Sequence, residues 1–267
     1  MRVAVLGCGP AGLMAALAAV HAQNGYPNKD TIIFSRRQMS TLFGAQYLHA
    51  PIPGVTDESS RVTVSYDLFG TPEDYRRKVY GPMWDGSVSP EDLAEPHDAW
   101  DLRGTYDKLW DLFEEFIVPA EIDRAGMRMI MDGQTIYGKF DMVISSIPLP
   151  SICLKGHQFR SVTINAAGEA PIRGIRLPYR VPANSVICNG LDHPSYYRVS
   201  NIFGHKTAEW PEWIDPPISH AQVQKPLDSN CDCWPEILRV GRYGEWRKGV
   251  LTHHAYERVL STVAAAI

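Results

Sequence analysis

The sequence predicts an α/β fold, a central parallel sheet started by a βαβ unit, with a mixed α+β domain inserted into it. Three observations predict it. Residues 2–6 (RVAVL) form a short β-branched run that enters a glycine turn and then an Ala-rich helical stretch to about His21. Two further strand-like segments, 141–147 and 237–241, lie far from it in sequence. The material between them mixes short alternating strands with amphipathic helices, the order expected when one domain is assembled from separated segments around another.

Taken in order, the first strand is apolar throughout, as in a strand buried on both faces. The turn Gly7-Cys8-Gly9-Pro10-Ala11-Gly12 follows, then a helix from Leu13, a turn-rich connector at Asn24–Asp30 and a second buried strand at Thr31–Phe34. Ser35 to Pro53 carries Gly, Ser and Ala without a clear period. Arg61–Leu68 alternates as a strand, and Pro72–Val79 and Pro90–Leu93 read as helix starts with acidic first turns. Thr105–Phe116 presents Tyr106, Leu109, Trp110, Leu112, Phe113 and Phe116 as a broad apolar helix face. MRMIMDGQTIY (127–137) reads as a hairpin turned by Asp132-Gly133. Asp141–Ile147 is a buried strand closed by Pro148 and Pro150, and short strands separated by Pro, Gly and Asn fill Arg160–Phe203. The Pro- and Trp-rich stretch 206–235 reads as a surface excursion. Strand 237–241, a Gly- and Arg-rich turn and a helix from about Val250 close the chain.

A chain of 267 residues with 45% hydrophobic and 21% charged residues has ordinary globular composition and enough length to bury a core. Its formal net charge of −4 gives no global reason to expect nucleic acid. The five cysteines are scattered, unlike a secreted disulfide framework, and Cys231-Asp232-Cys233 is their one cluster in sequence; two thiolates do not fill a zinc site, so no metal is expected. The N-terminus has the basic and apolar character of a signal peptide, but glycines at functional spacing interrupt the run, so a strand, turn and helix are expected in a cytoplasmic protein. No segment reaches membrane-spanning length.

Gly7, Gly9 and Gly12 make a G-x-G-x-x-G fingerprint. The first permits the tight turn, the second lets the backbone approach a pyrophosphate, and the third lets helix and strand pack closely. The helix start, with Pro10 and Ala11, offers N–H groups and a positive dipole end to phosphate. The fingerprint does not separate FAD from NAD or NADP. The second strand ends in Ser35, Arg36 and Arg37 rather than in a carboxylate that would accept hydrogen bonds from a ribose. Arginines there suit a 2′-phosphate, hence NADP, or they are simply solvated at a strand end.

Two distal segments, FDMVISSIP (140–148) and LRVGRYGEWRKGVLTHHAYERV (238–259), bear on that choice. With the N-terminus they resemble the glutathione-reductase-type FAD superfamily, more closely its branch of amine oxidases, protoporphyrinogen oxidase and UDP-galactopyranose mutase. Asp141, Val143, Ile144 and Pro148 match the middle strand pattern, and Gly241-Arg242 the final turn. The resemblance implies a Rossmann-like FAD-binding domain made of 1–50, 118–150 and 235–267, with a substrate domain made of 51–117 and 151–234. It implies Ile147, Pro148, Gly241, Arg242, Trp246, Gly249, Val250 and Leu251 near the cofactor, with a helix N-terminus stabilising negative charge on reduced flavin. It also places 35–50 beside the flavin ring, where Gly44 and Ala45 allow close approach. Members carry Glu where this chain has Ser35, and the chain is short for the branch.

His49 is then the nearest titratable group to the reaction, as base or as structural hydrogen-bonder. His253 and His254, adjacent on a helix, point about 100° apart and make a poor metal pair. Tyr196, Tyr197 and Arg198 combine aromatic faces with a bidentate cation suited to a carboxylate or phosphate, or else they are packed strand residues. Trp210, Trp213, Trp234 and Trp246 line a pocket or pack a core. The expected function is FAD-dependent transfer of hydride between flavin N5 and a small or tethered substrate. The alternatives are a non-redox flavoenzyme of the mutase kind, an NADP-dependent reductase and a nucleotide-binding module without turnover.

Overall fold

A computed structural model describes residues 1–23, 25–83, 95–134, 139–167, 181–216 and 218–267. The chain runs β1 (Val3–Leu6), α1 (Pro10–Ala22), β2 (Thr31–Ser35), β3 (Val62–Phe69), α2 (Pro72–Tyr80), β4 (His97–Ala99), α3 (Leu102–Phe113) and β5 (Ile117–Pro119). It continues through α4 (Arg124–Met131), β6 (Met142–Ser145), α5 (Leu149–Ile152), β7 (Phe159–Ala167), β8 (Ser185–Asn189), β9 (Arg198–Ile202), β10 (His205–Pro211) and β11 (Ala221–Ser229). It ends with β12 (Leu238–Arg239), α6 (Gly241–Glu245) and α7 (His254–Ala264).

The strands form two sheets. The first, in order β12-β6-β1-β2-β5, is parallel throughout, with β1 at its centre, and has the Rossmann-like arrangement expected. Its strands come from the beginning, middle and end of the sequence, and every residue of β1 is buried. Helix α1 is buried over nine consecutive residues, Gly12 to Val20, because it is covered on several sides: β1, α3 and α7 all pack on it. Small side chains make that possible, since Ala15, Ala16, Ala18 and Ala19 let neighbouring elements approach closely. Helix α3 buries Leu102, Tyr106, Leu109 and Phe113 in this same core rather than against the second sheet.

The second sheet has seven strands in order β11-β7-β10-β9-β8-β3-β4, antiparallel except for the β3–β8 pair. One expectation is corrected here. Much of 206–235 is sheet rather than surface excursion: β10 runs through the interior, and β11 forms an edge. Pro226 is accommodated on β11 because it sits on an edge strand beside a register shift.

Residues 127–131 are likewise helical and not the first arm of a hairpin. Asp123 caps α4 by accepting from Gly126 N at 2.8 Å, and Met127 and Ile130 turn one apolar face inward. Asp132-Gly133 closes the helix instead of turning a hairpin. Gly133 has φ +67°, its N–H donates to Ile130 O, and Gln134 N–H donates back to Met129 O at 2.9 Å. The rest of that expected hairpin, 135–138, lies outside the described residues, as does the expected helix start at 90–93. The final helix begins at His254, leaving Val250 and Leu251 in the turn before it.

Candidate functional site

The C-terminal end of the parallel sheet is where ligands bind in open α/β sheets, and the turn after β1 shapes that end here. Gly7 has φ +97°, and a Cβ at Gly12 would stand 2.0 Å from Gly7 O, so only glycine lets α1 start this close to the strand. Helix α1 has no side chain capping it and no acidic residue in its first turn, so its N–H groups and dipole are left for a ligand. Tyr106 braces the turn, donating to Cys8 O at 2.8 Å and accepting from Ser40 N at 3.0 Å.

A cavity of about 940 Å³ opens over this turn, within the size range of cofactor pockets. Beside β2 and β5 it is lined by Ser35, Arg36, Ala120, Glu121 and Ile122. It passes Gly7, Gly9, Pro10, Ala11, Ser146, Ile147 and Pro148, and on the β12 side reaches Gly241, Arg242, Val250, Leu251 and Thr252. Ala45, Tyr47 and His49 from the long loop after β2 form another wall, and Tyr66, Arg198, Glu209 and Lys225 of the second sheet form the far floor.

Other residues singled out from the sequence lie elsewhere. Gly12 is inside the strand–helix contact, and Arg37 turns to Glu114 at 3.5 Å. Gly44 is not among the lining residues, but its φ of +81° lets the loop pass closely over Glu209. Trp246 is buried in the core with its indole N–H on Arg160 O at 3.0 Å, and Gly249 lines a separate shallow depression. Leu251 N–H donates to His254 Nδ1 at 3.2 Å, so that amide is already engaged. Tyr197 lies fully buried beneath the floor.

The floor holds a charge cluster. Arg198 Nε bonds Glu209 Oε2, while Lys225 Nζ donates to Glu209 Oε1 at 3.0 Å and to Tyr197 OH at 2.8 Å. Glu209 is 2% exposed. Burial alone would raise its carboxyl, but the Arg198 guanidinium and then Lys225 overcome that and hold it at about 2. Burial pushes the Lys225 ammonium down to about 7, against the pull of Glu209. Sequence reasoning found Arg198 and missed both partners. The available signals were a lone carboxylate in the apolar run TAEWP and a lone lysine in the alternating run AQVQKPL.

His49 stacks on Tyr47 at 4.5 Å between ring centroids, with His97 at 5.6 Å and His253 at 6.1 Å. Burial, then the neighbouring His97, His253 and His254, push its imidazole down to about 4, so it is neutral near pH 7. His253 precedes α7 rather than sitting within it, which brings its ring, His254 and Glu257 into one group with donor atoms within 4.8 Å of one another. Tyr47 and Tyr66 join their hydroxyls at 2.7 Å where this wall meets the floor. No helix among the described residues is long and apolar enough to cross a membrane.

Fold and site together define an α/β protein with a Rossmann-like layer, a mixed β layer and a cleft lined by both. No protein-family model matches the chain, and no curated protein matches it in sequence. In fold it is similar to reduced UDP-galactopyranose mutase, at 12% identity and TM-score 0.58 over 99% of this chain and 95% of that one. It is similar also to BrvH, a flavin-dependent halogenase from Brevundimonas sp. BAL3, at 12% identity and TM-score 0.52 over 99% and 71%. A flavoprotein/dehydrogenase from Cytophaga hutchinsonii aligns at 10% identity and TM-score 0.52 over 100% and 78%.

Proposed function

We propose that this chain is a flavin-dependent enzyme that holds FAD along the cleft and performs redox chemistry on a small anionic substrate. The observation that carries this reading is one continuous cavity with a glycine turn and an uncapped helix start in its wall and a buried Arg198–Glu209–Lys225 cluster on its floor. The residues present fit the group: the uncapped start of α1 and the Cβ-free backbone at Gly7 and Gly9 suit a pyrophosphate. Ser35 and the Glu121 carboxylate, two residues past β5, line the end where a ribose would be held; Glu121 Oε1 accepts from Arg36, and its second oxygen offers the acceptor that β2 lacks. Against NADP, Arg36 pairs with Glu121 and Arg37 with Glu114, so each arginine already faces a carboxylate.

Bound FAD supplies hydride acceptance and donation at flavin N5. The chain's own groups bind and orient. Arg198 and Lys225 offer positive charge to a carboxylate or phosphate, and Glu209 fixes both cations in place. With its ammonium near neutrality, Lys225 can hold or release a proton at Nζ. His49, neutral in its aromatic and histidine surroundings, offers a second proton acceptor on the opposite wall. Tyr47, Tyr66 and Val223 line the cavity with these groups.

A second reading, isomerisation of a sugar nucleotide, is favoured by the joined Tyr47 and Tyr66 hydroxyls beside the cationic floor. Anaerobic mixing separates the two. Under the redox reading, the oxidised protein is bleached by a reducing substrate drawn from carboxylate-bearing alcohols and amines. Turnover of UDP-galactopyranose by the reduced protein, with no net change in the redox state of its flavin, would replace it with the second.

A further inference from the structure

Away from the cleft, the fold brings together four side chains that the sequence keeps 74 residues or more apart as two pairs: Cys153 and His157, and Cys231 and Cys233. The first pair lies just after α5, the second in the loop joining β11 to β12. Their three sulfurs and one imidazole nitrogen all lie within 4.8 Å of one another. His157 Nδ1 stands 3.2 Å from Cys153 Sγ and 3.6 Å from Cys233 Sγ. A tetrahedral zinc ion, with bonds of about 2.3 Å to sulfur and about 2.0 Å to nitrogen, needs ligand–ligand edges of roughly 3.5–3.8 Å.

We propose that Cys153, His157, Cys231 and Cys233 bind a structural Zn²⁺ that ties the loop after α5 to the β11–β12 connection. Three thiolates and one imidazole are one of the established structural zinc sets, and the metal's softness suits sulfur. The surroundings support that choice over four unrelated side chains. His157 Nε2 lies 3.1 Å from Asp232 Oδ1, which places the proton on Nε2 and leaves the Nδ1 lone pair facing the sulfurs. Leu154 N–H donates to Cys233 Sγ at 3.3 Å, a bond suited to a thiolate. Lys155 Nζ at 3.7 Å from Asp232 and the Arg239 guanidinium on Cys231 O and Cys233 O bring positive charge to a site whose three thiolates exceed the ion's charge.

All three cysteines are buried and unpaired, and His157 is half-buried, so water has little access. Four protein ligands leave no open position, which makes the site structural rather than catalytic. The surrounding bonds already hold the two loops in register: Gln158 N–H on Asn230 Oδ1 at 3.0 Å and Trp234 Nε1–H on Ile152 O at 2.9 Å. A metal there would join the last strand of the mixed sheet, through its exit loop, to the parallel sheet. The inference is independent of which cofactor the cleft holds.

The test is elemental analysis of the full chain, purified with a thiol reductant and without chelator. The expected result is one zinc per chain, close to zero in Cys233→Ser, and retained at one in His157→Cys, which makes a four-thiolate site. Replacing zinc by Co²⁺ should give the visible bands and thiolate charge transfer of tetrahedral cobalt, read as a difference against the zinc form. Should Cys233→Ser fail to fold, the wild-type and His157→Cys values decide. Fully reduced wild-type protein that takes up no zinc from added ZnCl₂ after gel filtration would overturn the proposal. So would a disulfide within the cluster as the native state, or full zinc content in Cys233→Ser.

Discussion

Replacing Glu209 by Gln tests the buried cluster on the floor of the cleft. The carboxylate is 2% exposed and bonded to two cations, which hold it at about 2 against an ordinary 4.5. That displacement corresponds to about 3 kcal/mol of stability, within the range of about 3–5 kcal/mol for breaking a buried ion pair by removing one partner. The folded-state value lies below the unfolded one. The stabilisation is therefore present in full above the ordinary carboxyl value of 4.5 and is lost as pH falls toward 2. Glutamine keeps the shape and a carbonyl acceptor for Arg198 but leaves the cations without a counter-ion. Urea unfolding at pH 7 should show Glu209→Gln less stable by about 3 kcal/mol, and the gap from wild type should narrow steadily between about pH 5 and pH 3. A loss under about 1 kcal/mol at pH 7, or a gap unchanged with pH, would refute the reasoning.

Gly12→Ala places a methyl group 2.0 Å from Gly7 O, so the turn must open and flavin content per chain should fall at least tenfold; the ratio of visible to ultraviolet absorbance reads it. With Lys225 down at about 7, its charge is present below that pH and lost above it. Affinity for an anionic substrate should decline as pH rises through about 7 in wild type and lie flat in Lys225→Met, as a pH series of KM would show. Bleaching of the oxidised protein under anaerobic conditions should survive Tyr47→Phe, which removes a hydroxyl bonded to Tyr66 among the described residues, and should slow at least tenfold in Arg198→Lys, which loses the guanidinium's fixed fork.

What was legible in the sequence was what is local. The β1–α1–β2 unit declares itself because strand, glycine turn and helix are contiguous, and the resemblance of 140–148 and 238–259 to known segments located β6 and β12; β5, three residues directly after a helix, carries too short a pattern to read. Helix α4 was not legible because its Met-x-Met-Ile pattern fits a strand equally well, and an Asp-Gly pair closes a helix as readily as it turns a hairpin. The cluster Arg198–Glu209–Lys225 depends on strand order. Glu209 faces Arg198 across β10 and β9, but Lys225 belongs to β11, on the far side of β7. The same limit hid the four metal-ligand candidates: Cys231 and Cys233 are visible as a pair, and only the folded chain brings Cys153 and His157 to them. Glu121 was invisible as a cavity-lining carboxylate because its place near Ser35 follows from β5 lying next to β2.

The central claim, that the cleft holds FAD, is tested most directly by the visible spectrum of the purified full-length chain and the identity of what it releases on denaturation. The account predicts a yellow protein with flavin bands that releases one FAD per chain, either as purified or after reconstitution. A colourless protein that takes up no FAD but retains NADPH would contradict it.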